Sequence, residues 1–237
     1  MDFEELDYRN TPLGEISLRR RTEPRLGIVV YEVKLGDEFL MSSLFVDGEV
    51  ELARLALAAC AAGPLDVAVG GLGLGHTARA ALDHAAVRSL LVIEALPAVI
   101  DWHRRALVPL GAGLSTDPRC TFLEGDFFAW VNSRDDAAQA ADQPFHAILL
   151  DIDHSPRHTL HPDHAAFYSQ EGLRRLAARL HPRGIFGLWS NDPPDESFRE
   201  LLASVFAAAE AHVVEFDNPL QDRKATNTVY LARAADV

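Results

Sequence analysis

Between Gly14 and Phe45 apolar and polar positions alternate with period two through EISLRRR, LGIVVYEVKL and EFLMSSLFV, with turn signals at Glu23-Pro24 and Gly36-Asp37. This alternation predicts a small N-terminal β-element spanning residues 1–48. A helix over 49–62 should follow and close at Gly63-Pro64, where glycine caps and proline bars continuation. From Leu65 the period changes, and short continuous apolar runs alternate with helix-length amphipathic stretches. The strands are LDVAVGG, SLLVIEA, CTFLEGD, FHAILLD, GIFGLWS, HVVEF and NTVYLAR; helices are expected from His76, from Pro97, after CTFLEGD, and over 165–180 and 195–210. Strands buried on both faces and spaced by helices imply an α/β fold, a Rossmann-like seven-stranded, mostly parallel sheet over residues 49–237. Only a loop separates the last two strands, so the final one should enter antiparallel. The polar, Ala-rich run from Ser133 to Gln143 reads as an exposed loop.

Composition narrows the function. With 48% apolar residues in 237, the chain can bury one sizeable core. A formal charge of -13, from 35 acidic against 22 basic residues, would repel a phosphate backbone, which excludes nucleic acid as a partner. No long uncharged apolar run or leader-like start is present, so no membrane partner and a cytoplasmic location are expected. Cys60 and Cys120 form no C-x-x-C pair and read as buried free thiols. A small-molecule substrate remains, with a homodimer as a candidate assembly.

The chemistry concentrates at strand ends. Strand 67–70 runs into glycines 71, 73 and 75 and then a helix, where backbone N–H groups can approach an anionic or polar ligand closely. The next strand ends in Glu94, placed to accept from ribose hydroxyls, and the third in Gly125-Asp126, placed to accept from an adenine amino group. Ligands in open α/β sheets lie outside the carboxyl ends of strands, so Gly71, Gly73, Gly75, Glu94 and Asp126 should form one nucleotide site. The fourth strand, AILLD, ends in Asp151, a carboxylate half-desolvated by its apolar strand and able to orient a nucleophile and accept its proton.

These motifs together resemble the spermidine synthase family, whose fold is that of the class I S-adenosylmethionine-dependent methyltransferases. The similarity runs from about Asp47 to Ser190, through Gly70–Gly75, Glu94, Gly125-Asp126, Asp151, Phe167-Tyr168 and Pro182–Ile185. The resemblance implies that Asp151 also contacts the cofactor, S-adenosylmethionine or its decarboxylated form. The departures lie on the acceptor side. Gly73 stands where the family carries an aspartate that holds the aminopropyl ammonium, His154 where it carries a second active-site aspartate, and Glu51 where it carries a substrate-contacting glutamine. His154 and the adjacent Asp153 are expected to join Asp151 as catalytic residues.

Residues 151–164 pack four histidines and three aspartates into fourteen positions, a composition that also suits a metal. Pro156 and Pro162 interrupt any helical ligand face, so the expectation is a substrate-facing lid with no metal. Asn191 and Asp192, after the fifth strand, should face the pocket, and Asp195 should cap the next helix. Because Gly73 restores a G-x-G-x-G loop and the polyamine contacts have changed, the leading expectation is methyl transfer from S-adenosylmethionine to a small amine, hydroxyl or acid. The alternative is aminopropyl transfer from decarboxylated S-adenosylmethionine to a polyamine, and a non-catalytic nucleotide-binding module is the third.

Overall fold

The computed structural model describes residues 3–11, 14–133 and 143–236; most of the loop expected at 133–143 lies outside the described residues. Four N-terminal strands, β1 (Phe3–Thr11), β2 (Gly14–Glu23), β3 (Ile28–Leu35) and β4 (Glu38–Ser42), form an antiparallel sheet in sequence order. β2 to β4 follow the predicted alternation. β1 has no such signal: its sequence FEELDYRNT is polar and largely exposed, because an edge strand can be held by backbone pairing to β2 alone.

The larger unit starts with α1 (Asp47–Ala58) and continues β5 (Leu65–Gly70), α2 (His76–Asp83), β6 (Val87–Glu94), α3 (Pro97–Arg104), α4 (Gly111–Thr116), β7 (Cys120–Glu124), α5 (Phe127–Asn132) and β8 (Phe145–Leu150). A 3-10 turn (Pro162–Ala166) then precedes α6 (Gln170–Ala177), β9 (Leu180–Ser190), α7 (Glu196–Ala203), β10 (Ala208–Asn218) and β11 (Arg223–Arg233). The seven strands order as β10-β11-β9-β8-β5-β6-β7, with β5 to β9 parallel and β11 antiparallel to both β9 and β10. The chain therefore winds outward in both directions from β5, whose neighbours are β6 and β8. That reversal opens a crevice above the β5 and β8 ends, where ligands bind in this topology.

Three predicted helices end or begin differently in the structure; the one expected over 49–62 is α1, which starts at Asp47 and ends at Ala58, ahead of Gly63-Pro64. The helix expected over 165–180 is α6 alone, begun by the Ser169 hydroxyl accepting from the Gly172 N–H. The helix expected over 195–210 is capped by Asp195 as anticipated but ends at Ala203, and 208–210 join β10, where antiparallel pairing to β11 outweighs the helix propensity of AAAE.

Apolar side chains cover both sheet faces. Leu52, Ala56, Trp102 and Leu114 from the helices pack on one, and Phe127, Trp130, Leu173 and Phe198 on the other. Ile16, Leu18 and Val33 of the N-terminal sheet belong to the first cluster, so the small sheet is packed onto the large domain. Polar ties reinforce the contact. The Trp102 indole N–H donates to Asp7 at 2.6 Å, and Arg9 pairs with both Asp7 and Asp101.

Because Trp102 is fully buried, Asp7→Ala leaves its N–H without an acceptor; unfolding free energy should fall by about 1–3 kcal/mol. Urea denaturation checks this, and an unchanged midpoint would show that the tie carries no stability.

Candidate functional site

β5 and β8 end against each other. The Asp151 N–H donates to the Gly70 carbonyl at 2.9 Å, and the chain then turns at Gly71, with φ +94°. A Cβ at Gly71 would lie 2.1 Å from the Asp151 carbonyl oxygen, so no other residue fits without moving that strand end. Gly75, also left-handed, occupies the cap position of α2. Between them the Gly73 carbonyl accepts a hydrogen bond from His103 Nε2 at 2.9 Å, and burial pushes that imidazole down to about 4, keeping it neutral and the loop pinned from below.

Glu94, at the end of β6, is buried, with one oxygen accepting from the Leu72 N–H at 2.9 Å and the other from the Leu96 N–H at 2.8 Å. Its carboxylate thus shapes the glycine loop as well as facing the crevice. Burial raises its pKa, and the backbone N–H groups oppose the rise. Asp126 caps α5 through one oxygen, which accepts from Phe128 N and Ala129 N. Asp151 accepts from the Thr77 hydroxyl at 2.6 Å, in the first turn of α2. Burial lifts Asp151 to about 6, and the Thr77 hydrogen bond holds it back.

A second carboxylate shares this environment. Glu49, half-buried in the first turn of α1, is pushed up to about 8 by burial and then by the charges of Asp151 and Asp47. Pattern reading passed over it, because one glutamate at a helix start looks like a solvated charge complementing the helix dipole. Only the topology, which lays α1 against β8 and β9, shows otherwise.

These residues surround a cavity of about 300 Å³. Gly71, Gly73, Glu94, Asp126 and Asp151 all line it, so five of the residues singled out in the sequence converge on one site. Gly75 lies one step below it, against Leu114 and His103. Leu40 and Met41 of β4, with Val33 and Leu35 of β3, form an apolar cover from the N-terminal sheet. Met41 reaches the glycine loop closely enough that a Cβ at Gly73 would meet its sulfur at 2.7 Å. Four carboxylates (Glu94, Asp126, Asp151, Asp163) line the cavity, and no Lys or Arg does among the described residues.

The lid segment is arranged differently from its expected form. Asp153 does not reach the cavity; its fully buried carboxylate accepts from Leu160 N at 2.7 Å, His164 Nδ1 at 2.8 Å and the Tyr168 hydroxyl at 2.8 Å. His154 is held by its own carbonyl, which accepts from the Asn191 N–H, and it too lies outside the cavity wall. Asp192 pairs with His158 at 2.9 Å instead of facing the cavity, and Asn191 bonds Asn227. The histidines that do line it are His161 and His164. Proline-broken loops cannot be oriented by periodicity, which is why the sequence did not show that His161 and His164 line the cavity. Among the described residues no group of three or more His, Cys, Asp or Glu is placed to hold a metal. Both cysteines are free and half-buried, with burial raising Cys60 to about 11 and Cys120 to about 12.

No family model matches the chain. It is similar to polyamine aminopropyltransferase 2 of Pseudomonas aeruginosa, 26% identical over 159 residues, covering 63% of this chain and 42% of that protein. It is also similar to the polyamine aminopropyltransferase of Corynebacterium efficiens, 32% identical over 153 residues, covering 58% of this chain and 28% of that one. The chain thus matches less than half the length of either relative. In fold it is similar to a spermidine synthase solved with the transition state analogue AdoDATO, with TM-score 0.74 and 16% identity over 98% of this chain and 74% of that one.

Glu49 generates a pH-dependent prediction. Its folded pKa lies above the ordinary carboxylate range, so its contribution is fully favourable below about pH 4 and is lost as pH rises toward 8. Glu49→Gln should therefore be more stable than wild type at pH 9 by several kcal/mol, at most about 5, and equal to it at pH 4. Thermal melts at the two pH values decide this; an offset equal at both would remove Glu49 from the acid pair.

Proposed function

We propose that this chain binds decarboxylated S-adenosylmethionine and transfers its aminopropyl group to an amine of the polyamine type. One observation carries the choice between the two sulfonium nucleotides. The cavity is lined by four carboxylates without a Lys or Arg, and a fifth, Glu49, lies behind Asp151. Such a wall attracts a sulfonium and a free ammonium, whereas the α-carboxylate of S-adenosylmethionine would meet like charge with no side-chain cation to receive it. The similarity to two polyamine aminopropyltransferases supports the same choice. Methyl transfer, the expectation raised by Gly73, loses its main support, because the space beside Gly73 is filled by the Met41 thioether.

The glycine loop and Glu94 would hold the nucleoside, with Glu94 receiving the ribose hydroxyls and the free oxygen of Asp126 the purine amino group. Met41 and Leu40 would exclude water from the sulfonium. In the transfer step the acceptor nitrogen attacks the aminopropyl carbon bound to sulfur. The new C–N bond forms as the C–S bond breaks, its electron pair returning to sulfur to leave a neutral methylthioadenosine. The attacking nitrogen must lose a proton. Asp151, lifted toward neutrality and oriented by Thr77, is placed to take it at the end of its strand. Glu49 would share that proton or pair with the acceptor's ammonium, supplying the carboxylate that Gly73 does not.

Calorimetry with the two nucleotides in parallel tests the assignment. The decarboxylated form should bind at least about tenfold more tightly, the worth of one unfavourable charge contact; tighter binding of S-adenosylmethionine would return the chain to methyl transfer. Asp151→Asn should retain the nucleotide and lower turnover by about 10²–10⁴. Full turnover in a folded Asp151→Asn protein would remove the base.

A further inference from the structure

We infer that His164, fixed by the buried Asp153, reads the purine amino group of the bound nucleoside and makes the cavity selective for 6-amino over 6-oxo purines. The inference rests on the nucleoside-binding reading above and adds a residue to it. His164 lies in the 3-10 turn Pro162–Ala166, and its side chain, 15% exposed, lines the cavity opposite α5. Two contacts fix the ring. Nδ1 is 2.8 Å from the Asp153 carboxylate, whose side chain is 0% exposed, and the ring face stacks on Phe128 with centroids 3.9 Å apart and planes 26° apart. Asp153 is itself immobilised by Leu160 N and the Tyr168 hydroxyl, so it acts as a positioning residue.

Donation from Nδ1–H to Asp153 sets the tautomer in which the lone pair lies on Nε2. Nε2 has no protein hydrogen-bond partner among the described residues, and the ring carrying it forms part of the cavity wall. An acceptor held from two sides and left unpaired at a cavity wall is prepared for a donor on a ligand. The position of that donor follows from Phe128. The stacking partner of His164 is two residues from Asp126, which lines the same cavity and has one oxygen not used in capping α5, while Glu94 stands at the end of another strand. Two acceptors at that end match a group with two N–H donors, the exocyclic amine of adenine. A 6-oxo purine would instead present an acceptor to two acceptors.

The test uses 5′-deoxy-5′-methylthioadenosine and its 6-oxo counterpart, methylthioinosine, with wild type, His164→Phe and Tyr168→Phe. His164→Phe keeps an aromatic ring on Phe128 and removes the lone pair; Tyr168→Phe keeps the lone pair and removes one of the donors that hold Asp153. Wild type should prefer the amino nucleoside by about 100-fold. His164→Phe should weaken the amino nucleoside by about tenfold and leave the oxo nucleoside nearly unchanged, shrinking the preference, whereas Tyr168→Phe, which only loosens Asp153, should shrink it less. Melting temperatures identify any variant that fails to fold, in which case His164→Gln, which keeps a side-chain acceptor, should retain more of the preference than His164→Leu. An undiminished preference in His164→Phe, or equal weakening of both nucleosides, overturns the inference while leaving the nucleotide site in place. Binding of neither nucleoside by wild type overturns both.

Discussion

The site depends on the close approach of two strand ends. Where β5 and β8 finish side by side, the Gly71 Cα lies so near the Asp151 carbonyl that a Cβ would sit at 2.1 Å. That contact lets the glycine loop turn directly over Asp151 and brings Thr77, in the first turn of α2, to its carboxylate at 2.6 Å. The loop is pinned on three sides, by Asp151, by Glu94 and by His103, so its shape is set before any ligand arrives. Preorganisation of this kind spares the ordering cost that a mobile loop would pay on binding.

Electrostatics then sorts what can enter. Carboxylates placed in a half-buried crevice resist ionising together: burial raises both Asp151 and Glu49, and the charge of Asp151 raises Glu49 further. A cationic ligand relieves that stress and an anionic one increases it. Beside Gly73, where the resembled family carries an aspartate, stands the Met41 thioether, while a carboxylate is present on α1 at Glu49. The N-terminal sheet is also part of the site, since β3 and β4 roof the cavity.

Much of this was legible in the sequence. The strand-end positions of Glu94, Asp126 and Asp151 follow from apolar runs that stop at an acid, and strand length fixes where such an acid must lie. The glycine spacing placed the loop, and the capping residue Asp195 placed the start of α7. The lid was harder, because Asp153, His154, His161 and His164 lie in a proline-broken loop whose side-chain directions depend on hydrogen bonds made across the fold. Asp153 was taken for chemistry and turned out to be enclosed by Leu160, His164 and Tyr168. Glu49 was invisible for a related reason: its neighbours are far away in sequence and meet it only when α1 packs on the sheet.

The central claim is that a carboxylate-lined cavity passes an aminopropyl group from a sulfonium to an amine. Product analysis by mass spectrometry tests it most directly, with the purified chain, decarboxylated S-adenosylmethionine and a panel of di- and polyamines. The account predicts an amine enlarged by one aminopropyl unit together with an equal amount of methylthioadenosine. A methylated product formed from S-adenosylmethionine, with no aminopropylated amine from its decarboxylated form, would contradict it.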